Sequence, residues 1–117
     1  MHELSIAQAL VEQVERMVLD ESALRANKVT IAVGSLSGAD PEALRAAFPL
    51  VAEGTAADGA ELIVETVAAQ VRCSACGSDS VAENYFVGCP VCGSREVELV
   101  SGRELHIQSV ELEVEER

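Results

Sequence analysis

Two Cys-x-x-Cys-Gly segments, Cys73-Ser74-Ala75-Cys76-Gly77 and Cys89-Pro90-Val91-Cys92-Gly93, restrict this chain more than any other feature of its sequence. Two CxxC pairs with twelve residues between them have the spacing of a tetrahedral four-thiolate zinc site. Two intervening residues let one tight turn present both sulfurs to one metal. The glycine after each second cysteine permits a positive φ, which turns nearby backbone amides toward the thiolates and spreads their charge. Disulfides are disfavoured in a cytosolic chain. A thioredoxin-like redox pair needs one CxxC and leaves the second unexplained. Iron suits the same four sulfurs, and spacing alone does not separate it from zinc. The expectation is a closed structural zinc, which leaves no position for a substrate and whose binding folds a loop module too small to hold a core.

The remaining sequence has room for one small domain around that module, since the chain is 117 residues long. It is 49% hydrophobic but only 3% aromatic, so Val, Leu, Ile and Ala must build the core, with Phe48, Tyr85 and Phe86 as the only large rings. Ser5-Ile6-Ala7-Gln8 has the form of a capping box. It predicts a helix starting near Ile6, with Ile6, Leu10, Val14, Met17 and Val18 on the packed stripe and Met1 to Leu4 outside. Residues 28–34 alternate Val29, Ile31 and Val33 with Thr30 and Ala32, a strand pattern. Gly34 to Gly38 reads as loop, and Asp40-Pro41 as a helix start. Leu44, Phe48 and Val51 would be the buried stripe of that second helix, with a kink or early end near Pro49 and Gly54 in the turn beyond. Residues 61–72 and 104–115 read as two further strands. In the last, the apolar phase shifts between Ile107 and Val110, which predicts a bulge near Gln108 and Ser109.

Net charge counts against several partners. Eight Lys and Arg against 20 Asp and Glu leave −12 at neutral pH, a field that repels phosphate backbones and anionic membranes. Zinc ribbons often bind nucleic acid, but no Lys or Arg lies between Cys73 and Cys92, and the only ring pair there is Tyr85 and Phe86. The module reads as a protein-facing arm. No apolar run approaches the roughly 20 residues that cross a bilayer, and the start lacks the regions of a signal peptide, so the expected location is the cytoplasm.

The opening Met1-His2-Glu3 places a terminal amine, two backbone amides and an imidazole close together. Deprotonated amides are strong in-plane donors and suit the nitrogen-rich square-planar geometry of nickel(II) or copper(II). Glu3 can add a carboxylate or polarise the imidazole. Taken alone, one histidine beside a terminus reads sooner as an accident of a frayed end than as a ligand. His106, the other histidine, falls in the last strand and reads as a surface residue with no ligand role.

Taken together, MHELSIAQAL, VGSLSG, EGT before AELIVE, CSACG, CPVCG and GRELHIQSVELEVEE make the chain closely resemble the HypA/HybF family of hydrogenase nickel-incorporation accessory proteins. The resemblance runs over nearly the whole chain. It implies an α+β fold, a small three-stranded sheet with two helices plus an inserted zinc-ribbon module. Residues 1–72 and 101–117 would form the nickel-binding domain and 73–100 the ribbon. It further implies nickel bound by His2 and Glu3 with backbone nitrogens near Met1, and zinc bound by Cys73, Cys76, Cys89 and Cys92. The implied role is non-enzymatic: nickel(II) is cargo, delivered to the large-subunit precursor of nickel-iron hydrogenase with a HypB-type maturation GTPase, and in some relatives toward urease. The runner-up is a zinc-ribbon protein–protein adaptor without nickel transfer. An enzyme would need a nucleophile–base constellation or an open metal site, and the sequence displays neither.

Overall fold

The computed structural model describes residues 2–81 and 88–115. Tyr85 and Phe86, the ring pair of the ribbon, and Met1, whose amine belongs to the expected nickel site, lie outside the described residues. The order of elements is α1 (His2–Asp20), β1 (Arg25–Gly34), α2 (Pro41–Ala52), β2 (Glu61–Val67), β3 (Gln70–Cys73), β4 (Asp79–Val81), β5 (Val97–Ser101) and β6 (Leu105–Glu113). They form two three-stranded sheets, β2-β1-β6 and β4-β3-β5.

In the first sheet β1 is central. It runs parallel to β2, through the crossover helix α2 that a parallel pair requires, and antiparallel to β6. Val29, Ile31 and Val33 are fully buried on the face covered by both helices, with Leu10, Val11, Val14 and Val18 of α1 and Leu44, Phe48 and Ala52 of α2 against them. The pattern read for the last strand holds in its detail. Thr30 pairs Ser109 and Ile31 pairs Ile107, so Gln108 is the extra residue of a bulge. That bulge returns Val110 and Leu112 to the same core as Leu105 and Ile107.

Three expectations are corrected. The first helix begins at His2 and not near Ile6, and Ser5 is exposed inside it. The capping box is therefore unused, because the first turn is held instead by tertiary contacts with the loop before α2. Of the kink or early end expected near Pro49, the early end does not occur: the second helix runs through Pro49 to Ala52, with Gly54 in the turn beyond. The carbonyl that Pro49 leaves unbonded is that of Arg45, and both residues are exposed, so water replaces the lost bond while Leu44, Phe48 and Ala52 hold the packed side. The expected strand 61–72 is two strands in different sheets, broken at Ala68-Ala69.

The break lies where the chain leaves the first sheet and returns to it. A Cβ on Gly34 would lie 2.1 Å from the carbonyl oxygen of Gly102, and one on Gly102, at φ +121°, would lie 2.8 Å from the Cα of Ala69. Bare backbone on both sides lets the connections cross in contact. Leu36 N–H donates to Gly102 O (2.6 Å), Ser35 N–H to Val67 O (2.9 Å) and Ala69 N–H to Ser35 Oγ (3.2 Å). The second sheet then projects outward. The radius of gyration is 18.0 Å, against about 13 Å for a compact chain of this length, and the extents are 59 × 33 × 16 Å. No helix among the described residues is long and apolar enough to cross a membrane.

The crossing generates a stability prediction. Gly34→Ala forces a methyl against backbone that cannot rotate away, and should lower the unfolding free energy by about 1–3 kcal/mol. Urea denaturation of the zinc-loaded chain followed by circular dichroism measures it, and an unchanged midpoint would show that the crossing yields without cost.

Candidate metal centres

The four cysteines come from two turns of the same construction. In each, the glycine amide closes the turn on the first cysteine's carbonyl, Gly77 N–H to Cys73 O at 2.9 Å and Gly93 N–H to Cys89 O at 2.8 Å. Both glycines have positive φ, +76° and +79°. Amides then point at sulfur: Cys76 N–H to Cys73 Sγ at 3.4 Å, and Val91 and Cys92 N–H to Cys89 Sγ at 3.3 and 3.4 Å. The first cysteine of each turn is buried and the second exposed.

Ligand positions of the four cysteines all lie within 4.8 Å of one another. The sulfurs of Cys73 and Cys92 are 3.6 Å apart and those of Cys76 and Cys89 3.7 Å. Thiolates about 2.3 Å from a zinc ion at tetrahedral corners are roughly 3.8 Å apart, close to these two separations, so the four sulfurs suit one four-coordinate metal. The cluster can therefore hold a metal ion such as zinc.

Crowding four thiols together separates their acidities. The Ser78 hydroxyl and then its amide pull Cys76 below the ordinary thiol range. The amide of Cys92, against desolvation and with help from the amide of Val91, brings Cys89 down to about 6. For Cys92 the Ser94 amide acts downward, but the neighbouring sulfurs of Cys73, Cys76 and Cys89 and desolvation outweigh it and hold the thiol up to about 12. Four thiolates need a cation between them to be ionised together.

At the amino terminus the structure brings together residues that the sequence reading left unconnected. His2 Nε2 lies 2.9 Å from the carbonyl oxygen of Gly38, and 3.0 Å from Glu3 Oε2. Glu3 Oε2 in turn accepts the Asp40 N–H at 3.2 Å. Asp40 also caps α2, its Oδ1 accepting Glu42 N–H at 3.0 Å. A carbonyl only accepts, so the Gly38 contact requires a proton on Nε2 and leaves Nδ1 as the free lone pair of a neutral ring. The His2 side chain is 62% exposed and that of Glu3 20%. The amides of the first helical turn have no acceptor within the helix. His106 sits exposed on β6 opposite Ala32, and belongs to no cluster of metal-ligating side chains among the described residues.

Sequence reasoning missed the two partners of the tip, the Gly38 carbonyl and the Asp40 amide, because a loop's backbone groups carry no signature of what they touch. It also missed Ser78, whose hydroxyl lies 3.0 Å from Cys76 Sγ. The available signal, a serine directly after the turn glycine, recurs as Gly93-Ser94 without that contact. The tip contacts lead to a local test: Glu3→Ala removes the acceptor of the Asp40 amide. Hydrogen exchange at that amide should quicken, while global stability changes by no more than about 0.5 kcal/mol. Equal exchange in both proteins would show that the carboxylate does not hold the loop.

Comparison with known proteins shows the family. Residues 1–112 match the model of a family described as HypA, hydrogenase/urease nickel incorporation, metallochaperone. The hydrogenase maturation factor HypA of Acidithiobacillus ferrooxidans is 38% identical over 113 residues, covering 97% of this chain and all of that protein. That of Chlorobium limicola is 42% identical over 113 residues, covering 97% of each. The solution structure of the nickel metallochaperone HypA from Helicobacter pylori shares the fold with a TM-score of 0.70 at 22% identity, over 97% of this chain and 98% of that one. This chain belongs to the HypA family of nickel-incorporation metallochaperones.

Proposed function

We propose that the chain takes up nickel(II) at its amino-terminal tip and passes it to the large-subunit precursor of nickel-iron hydrogenase, in the cytoplasm and alongside a HypB-type GTPase, while its four cysteines hold a structural zinc. The observation that carries the reading is the pose of His2. With Nε2 bound to the Gly38 carbonyl, Nδ1 is the nitrogen left free, and it is the one that closes a six-membered chelate ring with the residue's own amide. The amides of His2 and Glu3 lie in the first turn of α1, where no intrahelical bond has to be broken to deprotonate them. Negative charge there is favoured by the positive end of the helix dipole. Four nitrogens in a plane suit nickel(II) and disfavour the tetrahedral zinc for which the thiolates are arranged, so one chain can sort the two metals.

Release is as necessary as binding for a carrier. Nickel held by an exposed imidazole and first-turn amides can pass to a recipient's ligands without opening a core, as those donors are reprotonated. The family is described for both hydrogenase and urease, and the recipient in this reading is the hydrogenase precursor. The reading treats the protein as a carrier and not a catalyst. It divides the chain into a nickel-binding part and a ribbon; the second sheet, Gln70 to Ser101, supports ribbon limits slightly wider than 73–100.

Two measurements test this. Calorimetric titration of the zinc-loaded chain, with a native untagged terminus, should give about one nickel with the absorption of a planar complex. His2→Ala should lose that binding and keep its zinc. Equal nickel binding by the two proteins would move the site away from the tip, and no binding by either would overturn the carrier reading. Cys73→Ser should separately lose zinc and the order of the second sheet, read by metal analysis and amide exchange; retention of zinc would place the metal elsewhere.

A further inference from the structure

The two cysteine turns share their backbone closure and differ in the pose of one hydroxyl. Cys73 N–H donates to Ser78 O at 3.0 Å, and Cys89 N–H donates to Ser94 O at 2.8 Å, so Ser78 and Ser94 occupy equivalent places. The Ser94 hydroxyl accepts the Glu96 N–H at 3.0 Å and lies on the backbone of its own loop. The Ser78 hydroxyl instead lies 3.0 Å from Cys76 Sγ and 3.7 Å from Cys89 Sγ. Those sulfurs belong to different turns. No other side-chain hydroxyl among the described residues reaches the cluster; that of Ser74, also beside a cysteine, donates to Glu96 O at 3.0 Å.

Ser78 is held in this pose from both sides. Its carbonyl is bound by the Cys73 amide, and the preceding Gly77 sets the turn with φ +76°. The following Asp79 opens β4 and accepts Arg72 Nε at 2.9 Å. A hydroxyl has one proton to donate, and a thiolate accepts it more strongly than a neutral group would. The nearer of the two sulfurs, Cys76, is an exposed ligand, open to protons and to competing chelators.

We propose that Ser78 is a positioning residue of the metal centre, its hydroxyl donating to the Cys76 thiolate beside Cys89 of the other turn, so that it strengthens retention of the metal at its exposed edge. This rests on the reading of the four cysteines as a zinc site. The hydrogen bond withdraws charge from Cys76 without occupying a coordination position, as partners outside the ligand shell do in other metal sites.

The test uses the full zinc-loaded chain and three variants, Ser78→Ala, Ser78→Thr and Ser94→Ala, each titrated with a chromogenic zinc chelator. The same four proteins with cobalt(II) in place of zinc report the thiolate-to-metal charge-transfer band. Ser78→Ala should lower zinc affinity about 10-fold and move the cobalt band to lower energy, since the Cys76 lone pairs lose their donor. Ser78→Thr, which keeps a hydroxyl, should return both toward the native values, and Ser94→Ala should leave both unchanged. Native affinity and band position in Ser78→Ala overturn the proposal, as does an equal loss in Ser94→Ala or no recovery in Ser78→Thr. A native chain that takes up neither zinc nor cobalt through thiolates would overturn the zinc reading itself, a result distinguishable from the others because all four proteins would then fail alike.

Discussion

Everything distinctive about this architecture depends on a backbone crossing with no side chains in it. Gly34 ends the central strand, and Gly102 is where the chain re-enters the first sheet; a Cβ on Gly34 would strike the Gly102 backbone, and one on Gly102 would strike Ala69. The resulting contact lets Ser35 and Leu36 bond to both the outgoing and the returning connection. The same loop continues through Gly38 to Asp40, which receive His2 and Glu3. One short segment thus anchors the base of the ribbon with its first half and seats the amino-terminal tip with its second.

The two parts of the molecule are stabilised by different physics. The helix-covered sheet buries a continuous aliphatic core with Phe48 as its one ring, and that is enough for two helices on one face of three strands. Among its described residues the ribbon buries Val71, Cys73 and Cys89, little apolar area to set against the entropy of ordering a loop-rich segment. The metal proposed for the four cysteines would supply what that burial does not. The amides, and the single hydroxyl of Ser78, are aimed at those sulfurs by the turns that carry them.

Much of this was legible from residue order. The four-cysteine spacing, the Asp40-Pro41 helix start, the alternating β1 and the phase shift at Gln108 each follow from local rules, and the structure agrees with all four. The local rules failed where a distant contact outweighed them. Ser5 offered a cap, but contacts with the loop before α2 extend the helix to His2. Pro49 predicts a kink or an early end in α2, and the helix instead continues to Ala52 while its opposite side stays packed. Residues 61–72 have strand character throughout, and only the crossing at Gly102 divides them between two sheets.

By itself the sequence determined the donor chemistry, four thiolates in paired turns and an imidazole beside a terminal amine, together with the periodicities that make two helices and the main strands. Such features depend on residues a few positions apart. Only the tertiary structure decided which nitrogen of His2 is free, that Glu3 binds the Asp40 amide, and that Ser78 but not Ser94 turns to the sulfurs. Each of those depends on groups brought together from separate turns or from opposite ends of a loop crossing, and their approach is set by packing that no local pattern encodes.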